Sequence, residues 1–441
     1  MNKNSVLAWS MVVALGGFLF GFDTAVISGA EKAIQKFWEL SVFEHGLTIS
    51  IALIGTVIGS LLGAKPSDRF GRKNTLYFVA AAYLLSSLGT AFANNWIIFL
   101  VFRFLGGLGV GISSVTAPIY ISEVSPADRR GKLVGLFQFN VVLGILLSYL
   151  SNYLISQTGE DSWRLMLGVQ AVPSLLFLIL IRFIPESPRW LILHRNDLTR
   201  AKSILDIIDP LNSVKELQTI QASAHTNTGK QESLFSGHYR TPILLAGMFA
   251  FFNQVSGINA IIYYAPRIFE MAGLGAHTSL LSTVGIGVIN FVFTLAAINV
   301  IDKVGRRTLM LIGSFGLISS LLLVAFSFNN AAQSGFSIPV YIMIFIAFFA
   351  FSQGAVIWVF ISEIFPNSVR AKGQTLGSST HWVMAAAIAF CFPYFAEKLG
   401  GQTTFLFFAT MMVCQLIFVW KFMPETKGRS LEQIETNLIT H

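Results

Sequence analysis

The chain has 441 residues, of which 54% are hydrophobic and only 12% charged, with a net charge of +8. Soluble domains carry roughly 25% charged residues, so this composition excludes a chain folded in water. A nucleic-acid-binding role is excluded too, because the surplus Lys and Arg lie in short loops between apolar runs and not on a basic soluble domain.

The first apolar run, residues 6–22, follows Lys3 and looks like the start of a signal peptide. It lacks a small-x-small cleavage site and leads into Asp23, so it reads as a retained membrane span. Further runs at 75–93, 133–155, 165–184 and 308–327 are each long enough to cross a ~30 Å hydrocarbon core at ~1.5 Å per residue. Twelve spans are predicted, six before Pro185 and six after Arg240. The fold class is therefore an all-α membrane protein. Gly55, Gly59 and Gly63 in one span, and Gly107 with Gly111 in another, make the small-xxx-small steps of closely packed helices. The run G-G-L-G-V-G at 106–111 has no preceding strand, which argues against a dinucleotide fingerprint.

Between the two sets of spans lies one soluble stretch, 186–239, too short for a catalytic domain. Short amphipathic helices are predicted at 198–208 and 214–222, interrupted near Pro210. The expected division is an N-terminal six-helix bundle (1–184), a linker (185–240), a C-terminal bundle (241–423) and a tail (424–441).

Three motifs occur twice. D-R-F-G-R-K at 68–73 returns as D-K-V-G-R-R at 302–307, and S-E-V-S-P-A-D-R-R at 122–130 as S-E-I-F-P-N-S-V-R at 362–370. P-E-S-P-R at 185–189 returns in part as P-E-T-K-G-R at 424–429. The offsets of 234, 240 and 239 residues describe a duplicated unit. Placing the motif loops on one side puts 24 of the 30 Lys and Arg there, against five opposite and Arg103 within a span. The positive-inside rule then makes that side cytoplasmic, with both termini on it.

Polar groups inside the membrane point to function because each is costly unless paired or hydrated. Counting ~1.5 Å per residue from the flanking charges places Gln138, Asn253, Gln254, Asn290, His381 and Trp382 about 12–20 Å deep. Amides, an imidazole and an indole, with little charge, suit a neutral polyhydroxylated ligand: amides donate to and accept from hydroxyls, and indole stacks on a sugar ring. Asp23 and Arg103 both fall in the half of the membrane away from the motif loops, where pairing offsets their cost. A carboxylate that alternates between an arginine and a proton is also a coupling device, with a static ion pair as the plainer alternative. Cys391 and Cys414 lie in apolar runs, which argues against a disulfide or metal site. His45, His194, His225, His238, His277 and His441 fall in predicted loops or tails, where solvated histidines are expected.

The order and spacing of G-G-F-L-F-G-F-D-T-A-V-I-S-G (16–29), D-R-F-G-R-K (68–73), R-F-L-G-G-L-G-V-G (103–111), P-E-S-P-R-W-L (185–191), N-Q-V-S-G-I-N (253–259) and P-E-T-K-G-R (424–429) resemble the sugar porter branch of the major facilitator superfamily. The resemblance covers nearly the whole chain. It implies two six-helix bundles rocking about a central sugar site, with no cofactor. Its sugar-contacting positions would be Gln138, Gln254, Asn259, Asn290, Trp358 and Trp382, with Phe20, Tyr263 and Gly354 lining the cavity. Asn253 and His381 stand where the family favours other amides, and Ile145 leans toward a hexose. The resemblance also implies cytoplasmic ion pairs that hold an outward-open state, drawn from Asp68, Arg69, Arg72, Glu123 and Arg130 and from Asp302, Arg306, Glu363 and Arg370. Asp at position 23 is typical of proton-coupled relatives. The expectation is proton–monosaccharide symport at a bacterial inner membrane, with a passive uniporter and a non-transporting sugar sensor as alternatives and an enzyme excluded by the lack of a nucleophile–base set.

Overall fold

A computed structural model describes residues 3–126, 129–159, 161–226, 233–235, 239–329, 336–366 and 369–427, without the side chains of 3, 4 and 223–226. The tail beyond Lys427, including Arg429 and His441, lies outside the described residues, as do His238, the side chain of His225 and much of the polar stretch of the linker.

Twelve helices among the described residues are long and apolar enough to cross a membrane. Spans 1 to 6 are Ser5–Phe37, Val42–Leu62, Arg72–Phe92, Trp96–Glu123, Arg130–Thr158 and Ser162–Phe183. Spans 7 to 12 are Arg240–Met271, Ala276–Val304, Arg306–Asn329, Ser337–Glu363, Arg370–Lys398 and Gly400–Phe422. In hydrocarbon every backbone N–H and C=O needs a partner, and a helix supplies them within one segment. The linker forms helices Leu198–Ile208 and Ser213–Thr226. Asp197 caps the first by accepting from the Arg200 N–H at 3.0 Å, and Ala201, Ile204, Leu205 and Ile208 form its buried face.

Two compact units emerge from the packing. Unit 1 comprises residues 1–24, 54–148 and 164–230, and unit 2 comprises 25–53, 149–163 and 231–441. In unit 1 the glycine steps bring spans 2 and 4 into backbone contact. A Cβ on Gly59 would stand 2.5 Å from the Leu108 carbonyl oxygen, and one on Gly111 only 2.4 Å from that of Thr56. Only glycine permits this approach.

Unit 2 contains the C-terminal spans together with the ends of spans 1, 2 and 5 that lie away from the motif loops. Gly46 of span 2 seats on the backbone of Phe390 in span 11, and the Tyr149 hydroxyl of span 5 donates to the Ile262 carbonyl at 2.9 Å. Two spans in this unit are broken. Span 7 divides into Arg240–Val255 and Ile258–Met271 across Gly257, which has φ +88°. Span 10 divides into Ser337–Phe351 and Gln353–Glu363 at Ser352, whose φ of −117° and ψ of −87° are not helical. Broken helices in a membrane release backbone polar groups, and transporters place such breaks beside bound solutes.

Candidate functional site

In unit 1, Asp23 of span 1 faces Arg103 of span 4, with NH1 3.1 Å from Oδ1 and both side chains at most 4% exposed. Gly106, one turn beyond Arg103, leaves room for Ser86 beside the pair: a Cβ there would stand 2.4 Å from Ser86 Oγ. The remaining guanidinium nitrogens, Nε and NH2, are buried without hydrogen-bond partners among the described residues. One carboxylate thus faces an arginine with unspent donors, so the pair is strong in charge but incomplete in hydrogen bonding. Phe20, one turn from Asp23, is half-buried, and Gln138 in span 5 is exposed.

In unit 2 the polar residues gather at the break in span 7. Asn253 and Gln254 end the first piece, and Asn259 lies in the first turn of the second. Gln254 is the hub. Its Nε2 donates to Asn253 Oδ1 at 2.8 Å, and its Oε1 accepts from Asn259 Nδ2 at 2.5 Å. The same Nε2 lies 3.1 and 3.2 Å from the two ring nitrogens of His381 in span 11. An amide nitrogen only donates, so the imidazole must offer a lone pair here. The His381 ring packs against Trp358, with centroids 4.8 Å apart, and against Trp382 at 4.9 Å. Trp358 lies in the second piece of span 10 and is 40% exposed, whereas Trp382 is buried.

The structure therefore joins Asn253, Gln254, Asn259, Trp358, His381 and Trp382 into one continuous cluster. Asn290 accepts from Thr294 at 3.4 Å within its own helix, Tyr263 is buried, and Gly354 is half-buried against Phe349.

Sequence reasoning missed a second buried network at the break in span 10. Gln353 donates to Gln415 Oε1 at 2.6 Å, and Gln415 donates to Ser314 Oγ at 3.3 Å. Gln353 and Gln415 are polar interruptions of apolar runs, the signal used for Gln254, but neither was singled out.

The duplicated motifs build two stations of one design. In unit 1, Arg72 binds both oxygens of Glu123, through Nε at 3.0 Å and NH2 at 3.1 Å, and reaches Asp68 at 2.9 Å. In unit 2, Arg306 binds Glu363 and Asp302, both at 2.9 Å. A third acid completes each station. Glu186 accepts from the backbone N–H groups of Arg72 at 3.0 Å, Lys73 at 3.1 Å and Ser187 at 2.8 Å. Glu425 does the same for Arg306, Arg307 and Thr426, at 2.9, 3.1 and 3.0 Å. Each thus neutralises the open N-terminus of the helix that follows the loop. The glycine before that helix must have positive φ, +95° at Gly71 and +100° at Gly305, and a Cβ at either would collide with the acid. Burial pushes the Glu186 carboxyl above its usual range, against the pull of the Ser187, Lys73 and Arg72 N–H groups.

Arg130 and Arg370 are placed differently from the acids beside them. Arg130 donates to the Ser122 carbonyl at 3.0 Å and Arg370 to the Phe365 carbonyl at 3.2 Å. Arg69 is exposed and lies over the Phe70 ring at 5.3 Å. His45 departs from its expected loop. It sits inside span 2, fully buried, because Ser41 and Glu44 form a capping pair that starts the helix just ahead of it. His194 and His277 are exposed.

The profile of the Sugar (and other) transporter family matches residues 9–438. The glucose transporter GlcP of Staphylococcus epidermidis is 39% identical over 447 residues, covering 99% of this chain and 98% of its own. The inward-open structure of the xylose transporter XylE from E. coli superposes with a TM-score of 0.87 at 34% identity, covering 98% of this chain and 100% of that one. The structure of the major facilitator superfamily proton:xylose symporter XylE bound to 6-bromo-6-deoxy-D-glucose gives 0.81 at 34% identity, covering 99% and 100%. The chain belongs to this sugar transporter family and has the major facilitator fold.

Proposed function

We propose that this chain carries a neutral monosaccharide, hexose or pentose, together with a proton across the bacterial inner membrane by alternating access. The segments 1–184 and 241–423 are the moving bundles, 185–240 is the tether, 424–441 is the tail, and both termini face the cytoplasm. The observation that carries proton coupling is the buried Asp23–Arg103 pair. Its 3.1 Å contact supplies an acid whose counter-ion is a single arginine with nitrogens to spare. Protonation would release Arg103 from the carboxylate, and deprotonation would return it. Proton and sugar substrates are in keeping with a similar fold in a proton:xylose symporter.

Sugar recognition falls to the Gln254 cluster, with Asn290, Tyr263 and Gly354 as further contacts in unit 2. Gln138 and Phe20 carry the same proposed role from unit 1. The amides and His381 would exchange their mutual hydrogen bonds for sugar hydroxyls, so their polar groups stay satisfied throughout. Trp358, exposed beside His381, offers an indole face to the ring C–H groups. The paired stations, including Arg69, Arg130 and Arg370, serve as cytoplasmic latches.

One proton crossing ~150 mV supplies ~3.5 kcal/mol, enough for a few-hundredfold accumulation. Sugar added to unbuffered vesicles should raise the external pH, and Asp23→Asn should abolish both that rise and uphill accumulation. Wild-type accumulation by Asp23→Asn, or uptake without alkalinisation, would leave a uniporter in its place.

A further inference from the structure

Glu31, in the part of span 1 belonging to unit 2, has no exposure to solvent and no part in the route above. Its Oε2 lies 2.9 Å from Nε2 of His45 in span 2, and both side chains are 0% exposed. Arg267 of span 7 holds the same carboxylate, with Nε donating to Oε1 at 2.9 Å and NH2 2.8 Å from Oε2. Arg267 also reaches Gln35, one turn further along span 1.

The other groups around His45 are accounted for. The Tyr264 ring of span 7 meets the imidazole edge-on at 6.0 Å, but its hydroxyl donates to the Ala389 carbonyl at 2.8 Å. Span 11 presents Phe390 beside Gly46. Glu44 turns outward to accept from Ser41, and Lys32 pairs with Glu270 at the exposed rim. Lys36 and Glu39 are exposed. Neither ring nitrogen of His45 has a hydrogen-bond partner among the described residues, so Nε2 meets Glu31 Oε2 at ion-pair distance without a formed hydrogen bond. The imidazole therefore answers to one charge pair, Glu31 with Arg267.

That arrangement has two states if the chain works by alternating access, on which this inference rests. To open the side away from the motif loops, span 7 must leave the ends of spans 1 and 2. Arg267 departs with span 7, while Glu31 and His45 stay together. The carboxylate then loses its permanent counter-ion, which is strongly unfavourable for a buried charge. A proton on His45 restores it. In the closed form Arg267 already serves as the counter-ion of that carboxylate, so no second cation is needed there.

We propose that His45 is a second proton-binding site, neutral when the outer ends are closed and protonated when they open. The proton comes from outer water to the imidazole ring and returns there on closing. It therefore sets how readily the carrier opens without adding to the protons carried per sugar. A proton bound preferentially by the open form favours opening as outer pH falls.

The test uses the full chain in proteoliposomes and in purified form. Exchange of radiolabelled D-glucose, and separately of D-xylose, is followed against outer pH in an Asp23→Asn background, which removes the coupling proton. Exchange should rise from pH 7.5 to 5.5, by ~10-fold for each pH unit separating the two states' proton affinities. The rise should vanish when His45→Gln or Glu31→Gln is added. An unchanged slope in both double variants overturns the proposal. Hydrogen–deuterium exchange of residues 25–53, corrected for intrinsic rate, supplies a readout that needs no sugar. Protection should fall at pH 5.5 in wild type and not in His45→Gln, and equal falls in both would also overturn it. Should neither sugar exchange, the hydrogen-exchange result still decides on His45, while the transport reading fails by itself.

Discussion

The two copies of the motif station have the same parts and different wiring. In unit 1, Arg72 engages Glu123 through a two-toothed fork, and the loop is tied down again by Trp190, whose indole N–H donates to the Asp68 carbonyl at 2.7 Å. In unit 2, Arg306 meets Glu363 with one nitrogen, and its Nε has no hydrogen-bond partner among the described residues. The shortfall is made up by Thr426, whose hydroxyl donates to Glu363 Oε2 at 2.6 Å. Glu363 is correspondingly more open, at 22% exposure against 9% for Glu123. Duplication preserved the cap by Glu186 or Glu425 and the left-handed glycine, which backbone geometry requires. It let the side-chain ion pair drift. The first station is held by an ion pair with planar geometry, and the second divides its hold between an arginine and a hydroxyl.

Removing the arginines should expose this difference most strongly. Arg72→Ala leaves Glu123 mostly buried with neither tooth of its fork, so its cost should approach the ~3–5 kcal/mol of a broken buried pair. Arg306→Ala leaves Glu363 its Thr426 bond and more water, and should cost about 1–3 kcal/mol. Arg72→Lys should recover little, because an ammonium cannot reproduce the fork. Thermal unfolding of the purified variants in one detergent checks the order, and equal losses would mean that the two wirings are equivalent.

How far the sequence carried depended on whether a property was local. Twelve spans follow from apolar length alone. Amides in hydrocarbon are conspicuous, which flagged Asn253 and Gln254, and His381 emerged from its depth, whereas Asn259 came only from the family resemblance. The breaks at Gly257 and Ser352 were not legible, since a glycine or serine in a membrane helix is more often a packing residue. His45 was misread because Glu39, Ser41 and Glu44 surround it with polarity. Its burial comes from span 1, span 7 and span 11, which are distant in sequence. Glu186 and Glu425 were visible as repeated letters, but a carboxylate capping a helix more than a hundred residues away leaves no local pattern.

A smaller contrast concerns the residue after each capping acid. Thr426→Val removes a hydroxyl bond to a carboxylate, of the kind worth about 1.5–3 kcal/mol, and should weaken the second station. Ser187→Ala removes an ordinary cap, in which Oγ accepts from the Trp190 N–H at 3.1 Å, for about 1 kcal/mol. Combining Thr426→Val with Arg306→Ala should cost less than the sum of the two, because both act on Glu363. Additivity in that double-mutant cycle would show that the hydroxyl and the guanidinium hold Glu363 independently.

The smallest expected effect tests the cap itself. Glu186 collects three backbone N–H groups, which favour its charged form, yet burial outweighs them and its carboxyl is held above the usual range. A folded-state pKa above the unfolded one means that the native protein binds the proton more tightly. This contribution to stability is therefore fully present below the unfolded pKa and is lost as pH rises through the folded one. Glu186→Gln keeps the shape and one acceptor oxygen but cannot titrate, so at neutral pH its stability should lie within about 1 kcal/mol of wild type. Lowering the pH toward 5 should move the difference in favour of wild type, since only the glutamate takes up a proton that relieves its burial. A difference moving the other way would mean that the N–H groups of the helix end outweigh desolvation, and that the cap is chiefly electrostatic. Glu186→Ala separates charge from shape, because it leaves three N–H groups unanswered at every pH and should be the less stable variant throughout.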